Sequence, residues 1–214
     1  MEQELARTEQ RKENPLFEEL KQFSLSKDFL NKYADKNPFD NDLRYITYKR
    51  TYSRKREDGT SEEWIDTVQR VVEGSFTIQK THCHTHSLPW NEQEEQAKAQ
   101  KMFDLIFNFK FTPPGRGLWM MGTDYMYKRG ATALNNCAFV STEKLADDLA
   151  EPFCFLMDSS MLGVGVGGDT KGAGSLRIQA PQKSDEPFVV PDTREGWVEA
   201  LRVLLRAYQG KTQM

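Results

Sequence analysis

The second half of the chain alternates short apolar runs with glycine, and no other feature constrains the fold as strongly. The runs from Pro113 onward are "GLWMMG", "CAFV", "GVGVGG", "SLRIQA" and "PFVV". Such runs between glycines are typical of buried strands or of loops that line a site. Apolar residues at helical spacing lie between them, at about residues 143–162 and 193–208, and Asp192 with Glu195 would cap the second helix. We therefore predict a mixed α/β domain over residues 111–214.

The beginning of the chain has a different composition, in which apolar side chains at helical spacing lie among many charged residues. The apolar positions at roughly helical spacing before residue 40 include Leu16, Phe17, Leu20, Phe23, Leu25, Phe29 and Leu30. They predict one or two peripheral helices. The segment 43–58, which places aromatic and β-branched residues between charges, is predicted to be extended or irregular.

Two longer helices are predicted in the same region. The string "TSEE" (60–63) matches a capping box, so the first helix should begin at about Trp64, and Gly74 should end it. The second helix should run over about residues 91–108. A mainly helical N-terminal region, residues 1–110, is therefore expected to precede the α/β part.

Charge and hydropathy argue against several classes of function. The 214 residues carry 32 acidic and 29 basic side chains, and a net charge of -3 provides no general field for attracting nucleic acid. No apolar run approaches the roughly 18 residues that span a bilayer, and the polar N-terminus does not resemble a signal peptide. The cysteines Cys83, Cys137 and Cys154 are too few for a disulfide framework and favour a reducing compartment. We expect a cytoplasmic protein that binds neither nucleic acid nor membrane.

Basic and aromatic residues alternate in "YKRTYSRKRE" (48–57). This arrangement can bind single-stranded nucleic acid by phosphate contacts and base stacking. The balanced charge and the lack of further basic stripes favour a solvated face, or ion pairs with carboxylates, over that role. A contact with a nucleotide phosphate stays open.

The string "GVGVGGDTKG" (163–172) contains the spacing G-x-G-x-x-G at Gly163, Gly165 and Gly168. A dinucleotide site needs a strand before these glycines and a helix after them. The preceding "EPFCFLMDSSML" has helical spacing instead, so no dinucleotide site is expected. The glycines either leave the backbone open to a phosphate, sugar or base, or form a tight turn with packing roles.

Four potential metal ligands lie together in "HCHTH": His82, Cys83, His84 and His86. Closed structural zinc sites usually draw ligands from two separated pairs, and the sequence has no second cluster of Cys and His. We expect a solvated loop here and no metal site. A zinc-dependent nucleic-acid-binding protein would need metal at this cluster and is the least favoured alternative.

Cys137 begins the apolar run "CAFV" and follows Asn135 and Asn136. These two amides can orient a ligand or hydrogen-bond a thiolate. By contrast, Cys154 lies on an apolar helical stretch and should be an inert buried thiol. From spacing alone, a packing role for Cys137 is favoured over a redox role.

Long strings in a fixed order resemble one family, the adenosylcobalamin-dependent ribonucleoside-triphosphate reductases, or class II ribonucleotide reductases. The strings are "TYKRTYSR" (47–54), "TPPGRGLWMMGTDYMYKRGATALNNCAFV" (112–140) and "PDTREGW" (191–197). The string "EPFCFLMDSSMLGVGVGGDTKGAG" (151–174) is similar to the family's segment between the last two. The likeness covers most of residues 44–208.

The resemblance implies a mainly helical region followed by the first, incomplete half of a ten-stranded α/β barrel. It implies reduction of a ribonucleoside triphosphate to the 2′-deoxy form, with adenosylcobalamin as cofactor, a thioredoxin-type reductant, and dNTP or ATP effectors. In the family a thiyl radical forms on a cysteine of the second barrel half, and a cysteine pair supplies the reducing equivalents. Cys137 matches the N-terminal member of that pair.

The resemblance also implies a set of positions that line the sugar and phosphates of the substrate. They are Asn135, Asn136, Gly163, Gly165 and Gly167. The sequence departs from the family pattern at Gly168, where a bulky apolar residue is expected. The family's enzymes are several times longer, and their radical cysteine, the partner of Cys137 and their C-terminal cysteine pair have no counterpart here.

We therefore expect an N-terminal portion of such a reductase that is inactive alone. Three explanations of the short chain stay open. They are a truncated product, one subunit of a split enzyme that assembles with a second chain, and a non-catalytic remnant that binds nucleotides.

Overall fold

The computed structural model of the protein describes residues 20–56 and 58–213. The helices are α1 Lys27–Leu30, α2 Asp42–Thr51, α3 Trp64–Thr85, α4 Glu92–Phe107, α5 Gly115–Met120, α6 Asp124–Arg129, α7 Ala150–Met161 and α8 Arg194–Tyr208. A 3-10 turn, Ala131–Leu134, precedes strand β1, Cys137–Val140, and strand β2, Gly165–Gly168, follows α7. Of the predicted early helical positions, Leu16 and Phe17 lie outside the described residues.

The described residues pack as two units, a first unit of residues 20–134 and a second unit of residues 135–213. The composition change near residue 110 lies inside the first unit, and the domain limits 1–110 and 111–214 stay a prediction. None of the helices within residues 20–56 and 58–213 has both the length and the apolar character that a bilayer crossing requires.

The core of the first unit lies between α3 and α4, which pack against each other. Its fully buried residues include Val68, Val71 and Val72 from α3, and Phe103 and Ile106 from α4. Their three- and four-residue spacing is that of one helical face, so the apolar pattern in the sequence does identify the core.

Helix α3 begins at Trp64 as predicted, but its cap and its end differ from the prediction. Glu63 and Asp66 form the capping box. The side chain of each accepts a hydrogen bond from the backbone N–H of the other. Thr60 instead donates its hydroxyl to Asp58 at 2.6 Å. Gly74 does not end the helix, because it lies against the backbone of Gly122, where a Cβ atom would collide. It is a packing glycine inside a helix that continues to Thr85.

Two segments of the first unit are helical against expectation. The segment predicted to be extended or irregular contains α2, which begins after Asn41, whose side chain accepts from the backbone N–H of Arg44 at 3.0 Å. The α2 residue Tyr48 is buried and its hydroxyl donates to the Glu62 carbonyl at 3.1 Å, so tertiary packing outweighs the local β propensity. The run "GLWMMG" lies mostly in α5 and not in a strand or loop. Helix α4 agrees with its prediction, and Asn91 caps it.

The second unit contains a β–α–β arrangement, in which β1 and β2 are parallel neighbours and α7 connects them. Its α/β character agrees with the sequence prediction. Helix α8 packs along α7, and two ion pairs join them: Arg194 to Asp158 at 2.5 Å and Arg202 to Glu151 at 2.8 Å. A third ion pair, at 2.7 Å, joins Arg206 of α8 to Asp148, which lies just before α7. Parallel strands need such a crossover connection, since a tight turn cannot return the chain to the same end.

The structure differs from the local predictions at three places in the second unit. Of the two alternatives, buried strands or loops, the runs "SLRIQA" and "PFVV" lie in loops, and their side chains Ile178 and Val189 are 63% and 79% exposed. The cap of α8 is Thr193, whose hydroxyl accepts from Gly196 N–H at 3.0 Å, and not Asp192 with Glu195. Helix α7 begins at Ala150, later than predicted, because residues 143–147 form turns.

Candidate active site

Cys137 is the first residue of β1, and its side chain is exposed. Side chains alternate along a strand, so Cys137 and Phe139 lie on the same face of the sheet. Their register partners on β2 are Gly165 and Gly167, which have no side chains. Phe139 is 65% exposed. The thiol therefore stands beside a strip of bare, accessible backbone.

The structure brings most of the other predicted site positions to this strip. Asn135 and Asn136 are exposed and come directly before β1. The carbonyl of Asn136 accepts from the backbone N–H of Gly165 at 2.8 Å, which places the thiol-bearing residue and the glycine side by side. Gly163 lies outside β2, in the turn after α7, where its φ of 81° suits glycine.

Gly168 ends β2 opposite Val140. A Cβ atom at this position would lie 3.3 Å from the Val140 carbonyl oxygen, a tight contact. In this chain the absence of a side chain at Gly168 thus fits the local packing of β1 and β2. In a dinucleotide site, a strand precedes the glycines and a helix follows them. Here the helix α7 precedes the glycines, and residues 169–193 contain no helix.

A carboxylate that the sequence reasoning missed joins the ends of the two strands. Asp169 accepts from the Thr142 backbone N–H at 2.9 Å, from the Ser141 hydroxyl at 2.8 Å, and from the Lys171 backbone N–H at 3.2 Å. The Thr142 hydroxyl also lies 2.9 Å from the same carboxylate. These hydrogen bonds, led by that of the Thr142 N–H, hold the pKa of Asp169 well below its ordinary value. The sequence did contain a signal for this contact, because Ser141 and Thr142 directly follow one predicted strand and Asp169 directly follows the next.

Gly172 completes this junction. Its backbone N–H donates to the Thr142 hydroxyl at 3.1 Å. The residue is buried, and a Cβ atom there would collide with the Thr142 carbonyl oxygen and with the Leu145 side chain. Only glycine allows the segment after β2 to approach the segment after β1 this closely.

The other two cysteines have different surroundings. Cys154 is buried in α7, as predicted, and its Sγ lies 3.6 Å from the Val198 carbonyl of α8. Burial raises the pKa of Cys154 to about 11, so its thiolate is scarce at neutral pH. Cys83 is half-buried on α3.

In the first unit, one arginine holds the α5 segment in place. Arg70 donates to the carbonyls of Leu118 at 3.0 Å and Met121 at 2.5 Å, and its guanidinium lies 2.7 Å from the carboxylate of Glu62. Burial alone would raise the pKa of Glu62, but the hydrogen bonds and charge of Arg70, with a hydrogen bond from Thr67, outweigh burial and lower it. Arg70 therefore holds the segment 118–121 through two carbonyl groups, and its charge is balanced by the buried carboxylate of Glu62.

Much of the basic cluster of residues 48–57 is paired within the protein. Lys49 forms an ion pair with Glu63 at 2.8 Å, and Arg56 forms one with Asp66 at 2.6 Å. Arg54 donates to the Trp119 carbonyl at 3.1 Å. These contacts give the cluster a structural role.

The histidine cluster lies in a helix and not in the expected loop. His82, Cys83 and His84 belong to the last turn of α3, and His86 is its C-cap residue. The rings of His82 and His86 have centroids 4.4 Å apart. In the part of the chain that the structure describes, no group of three or more His, Cys, Asp or Glu side chains is placed to hold a metal ion.

Comparisons with known proteins give a consistent result. The family model described as "Ribonucleotide reductase alpha domain" matches residues 25–123. The chain is 46% identical over 217 residues to the probable adenosylcobalamin-dependent ribonucleoside-triphosphate reductase of Dictyostelium discoideum, covering 91% of this chain and 29% of the relative. It is 47% identical over 205 residues to the adenosylcobalamin-dependent ribonucleoside-triphosphate reductase of Euglena gracilis, with 91% and 27% covered.

A solved structure agrees with these relatives. The crystal structure of a B12-dependent (class II) ribonucleotide reductase superimposes with a TM-score of 0.72 at 29% identity, over 89% of this chain and 34% of that one. The chain belongs to the ribonucleotide reductase family, and the curated relatives and the solved structure that it matches are named as adenosylcobalamin-dependent or class II enzymes. It has an α/β fold of the ribonucleotide reductase type, and it spans less than a third of the length of the two curated relatives named above.

Proposed function

We propose that this chain is the N-terminal portion of an adenosylcobalamin-dependent ribonucleoside-triphosphate reductase and that Cys137 is one thiol of the pair that reduces the ribose. One observation carries the proposal. An exposed thiol stands at the start of β1, next to bare glycine backbone on β2, in a chain 46% identical to a reductase of that name.

The proposed chemistry needs two thiols. Replacing the 2′ C–OH bond of the ribose by a C–H bond consumes two electrons and two protons, and the hydroxyl leaves as water. Oxidation of two thiols to one disulfide supplies both electrons and both protons. Cys154 is buried between α7 and α8, so we infer that the partner of Cys137 belongs to a part of the enzyme beyond this sequence.

The other residues at the strip are proposed to position the substrate. The backbone of Gly165 and Gly167 allows the sugar to approach Cys137 without meeting a side chain. The amides of Asn135 and Asn136 are donors and acceptors for the sugar hydroxyls and phosphates. Gly163, in the turn before β2, would approach the phosphates.

The strands β1 and β2 are proposed to be the first two of a ten-stranded barrel, of which this chain holds an incomplete half. The parallel β–α–β unit and the similarity to the class II structure support this. The apolar side chains of Phe153, Leu156, Met161 and Trp197 on α7 and α8 are each about 40–50% exposed, which suits a surface that the rest of the enzyme covers.

The names of the relatives supply the proposed cofactor. Adenosylcobalamin, when bound, would supply the radical that starts the reaction. We further propose a thioredoxin-type reductant, dNTP or ATP effectors, and the cytoplasm as the compartment that keeps Cys137 reduced.

The test is the substitution Cys137→Ser in the complete reductase that carries this sequence, with Cys154→Ser as the matched control. We expect Cys137→Ser to abolish sustained turnover with an external dithiol while the thermal midpoint stays within a few degrees. Cys154→Ser should retain turnover if the protein folds. Sustained turnover by the folded Cys137→Ser enzyme would overturn the redox assignment.

A further inference from the structure

The C-terminal end of α3 is closed by a rigid backbone motif. The N–H of Leu88 donates to the Cys83 carbonyl at 2.7 Å, and the N–H of Ser87 donates to the His84 carbonyl at 3.2 Å. Ser87 has a φ of 53°, in the left-handed region. This is a Schellman arrangement, which fixes the last turn of a helix instead of letting it fray.

Two imidazoles share one face of this fixed turn. His82 and His86 are four residues apart, and the backbone N–H of His86 donates to the His82 carbonyl at 3.0 Å. Residues at this spacing lie one above the other on a helix. The two rings are exposed, with centroids 4.4 Å apart and planes inclined by 58°.

From this geometry we propose that His82 and His86 form a two-histidine chelate for late first-row divalent ions, namely Cu²⁺, Ni²⁺ or Zn²⁺. The site does not depend on the reductase function. Imidazole nitrogen is a preferred ligand of these ions. A Zn–N bond is about 2.0–2.1 Å, so two nitrogens on one ion lie about 3 Å apart, a separation that two rings this close can reach by rotating. Water completes the coordination shell.

Two features of the helix end favour the ion. The carbonyl groups at a helix C-terminus carry partial negative charge, which stabilises a cation near the last turn. The closed turn also presents both histidines already in place, so less conformational entropy is lost on binding than from a flexible loop. A loop, as the sequence predicted, would offer neither advantage.

The neighbouring ligands in the cluster lie on other faces. Cys83 is one residue beyond His82 and His84 is two beyond, which turns their side chains about 100° and 200° around the helix axis at 3.6 residues per turn. They are therefore matched controls, since they are the same types of ligand in the same turn but do not share the face of His82 and His86.

The experiment is a titration of this chain with CuCl₂, NiCl₂ and ZnCl₂ at neutral pH. Calorimetry gives stoichiometry and affinity, the visible absorption of Cu²⁺ reports nitrogen coordination, and the thermal midpoint reports stabilisation. We expect one ion per chain, with Cu²⁺ bound most tightly. His82→Ala and His86→Ala should each weaken binding at least about tenfold, because a single ligand loses the chelate advantage.

The controls decide the assignment. His84→Ala and Cys83→Ser should bind Cu²⁺ within about twofold of the parent chain, since neither ligand lies on the chelating face. Equal weakening by His84→Ala, full binding by the double variant His82→Ala/His86→Ala, or no binding of Cu²⁺ by the parent chain would each overturn the proposal. None of these outcomes bears on ribonucleotide reduction, because no activity is measured.

Discussion

The carboxylate of Asp169 accepts the backbone N–H of Thr142 at 2.9 Å, and this contact joins the segment after β2 to the segment after β1. Register between two short strands is weakly specified when glycine dominates one of them. The Asp169 carboxylate helps to fix the register, because it accepts hydrogen bonds from Ser141 after β1 and from Lys171 after β2. It thereby helps keep Cys137 opposite Gly165.

We predict that Asp169→Ala loosens the β1–β2 pair more than Ser141→Ala does, because the first removes every hydrogen bond at the carboxylate and the second removes one. Hydrogen exchange of the Gly165 amide is the measurement, and it should be faster in Asp169→Ala. Equal exchange rates in the two variants would contradict the role assigned to the carboxylate.

The same carboxylate predicts a pH dependence. A group whose pKa is lower in the folded state contributes stability above its unfolded pKa, here near 3.8, and that contribution is lost as the pH falls through the lower folded value. Protection of the Gly165 amide, corrected for intrinsic exchange, should therefore persist at pH values just below 3.8. Loss of protection centred at about 3.8 would show that the pKa of Asp169 is not lowered, and would contradict the prediction.

Two glycine substitutions should differ clearly in their effect on the stability of the second unit. Gly172→Ala should destabilise the second unit, because its Cβ atom would collide with the Thr142 carbonyl oxygen. Gly165→Ala should fold nearly normally, because the nearest atom to its Cβ, the Asn136 carbonyl oxygen, lies 3.6 Å away. Thermal unfolding distinguishes the two, and a lower midpoint for Gly165→Ala than for Gly172→Ala would refute the prediction.

The buried ion pair of Glu62 and Arg70 should matter more than a surface pair. Glu62→Gln leaves Arg70, whose side chain is only 14% exposed, without its counter-charge, and we expect a loss of about 3 kcal/mol in the free energy of unfolding. The control Glu94→Gln removes an exposed pair with Lys98 and should cost no more than about 0.5 kcal/mol. Chemical denaturation measures both, and similar losses in the two variants would count against the prediction.

The cysteines should differ in their reactivity toward iodoacetamide. Cys137 is exposed, whereas Cys154 is buried with a raised pKa of about 11. Peptide mapping after brief treatment of the native chain at neutral pH should find Cys137 modified and Cys154 intact. Denatured chain should show both modified, and native modification of Cys154 at the rate of Cys137 would contradict the assigned burial.

Predictions from the sequence succeeded where local chemistry and periodicity carried the information. Helix α4 begins directly after Asn91, whose short side chain caps the first turn, and α8 coincides with the predicted run of apolar residues at helical spacing. The run after Asn136 is a strand, and long strings identified the family without any coordinates.

Tertiary contacts decided the remaining elements. Whether Gly74 ends a helix depends on the backbone that packs against it, and Gly122 is distant in sequence. Whether Tyr48 lies in a helix depends on hydrogen bonds to Glu62 and Thr67. A propensity scale contains neither partner, so both local predictions were wrong.

The candidate site divides in the same way. Residue type and spacing alone favoured a packing role for Cys137, and only the resemblance to a family predicted that Cys137, its two preceding amides and the glycines form a site. Only the tertiary structure paired Cys137 with Gly165 and showed that Asp169 holds the two strands together. Such pairing depends on the path of the chain between distant residues, and a linear pattern of residue types does not contain that path.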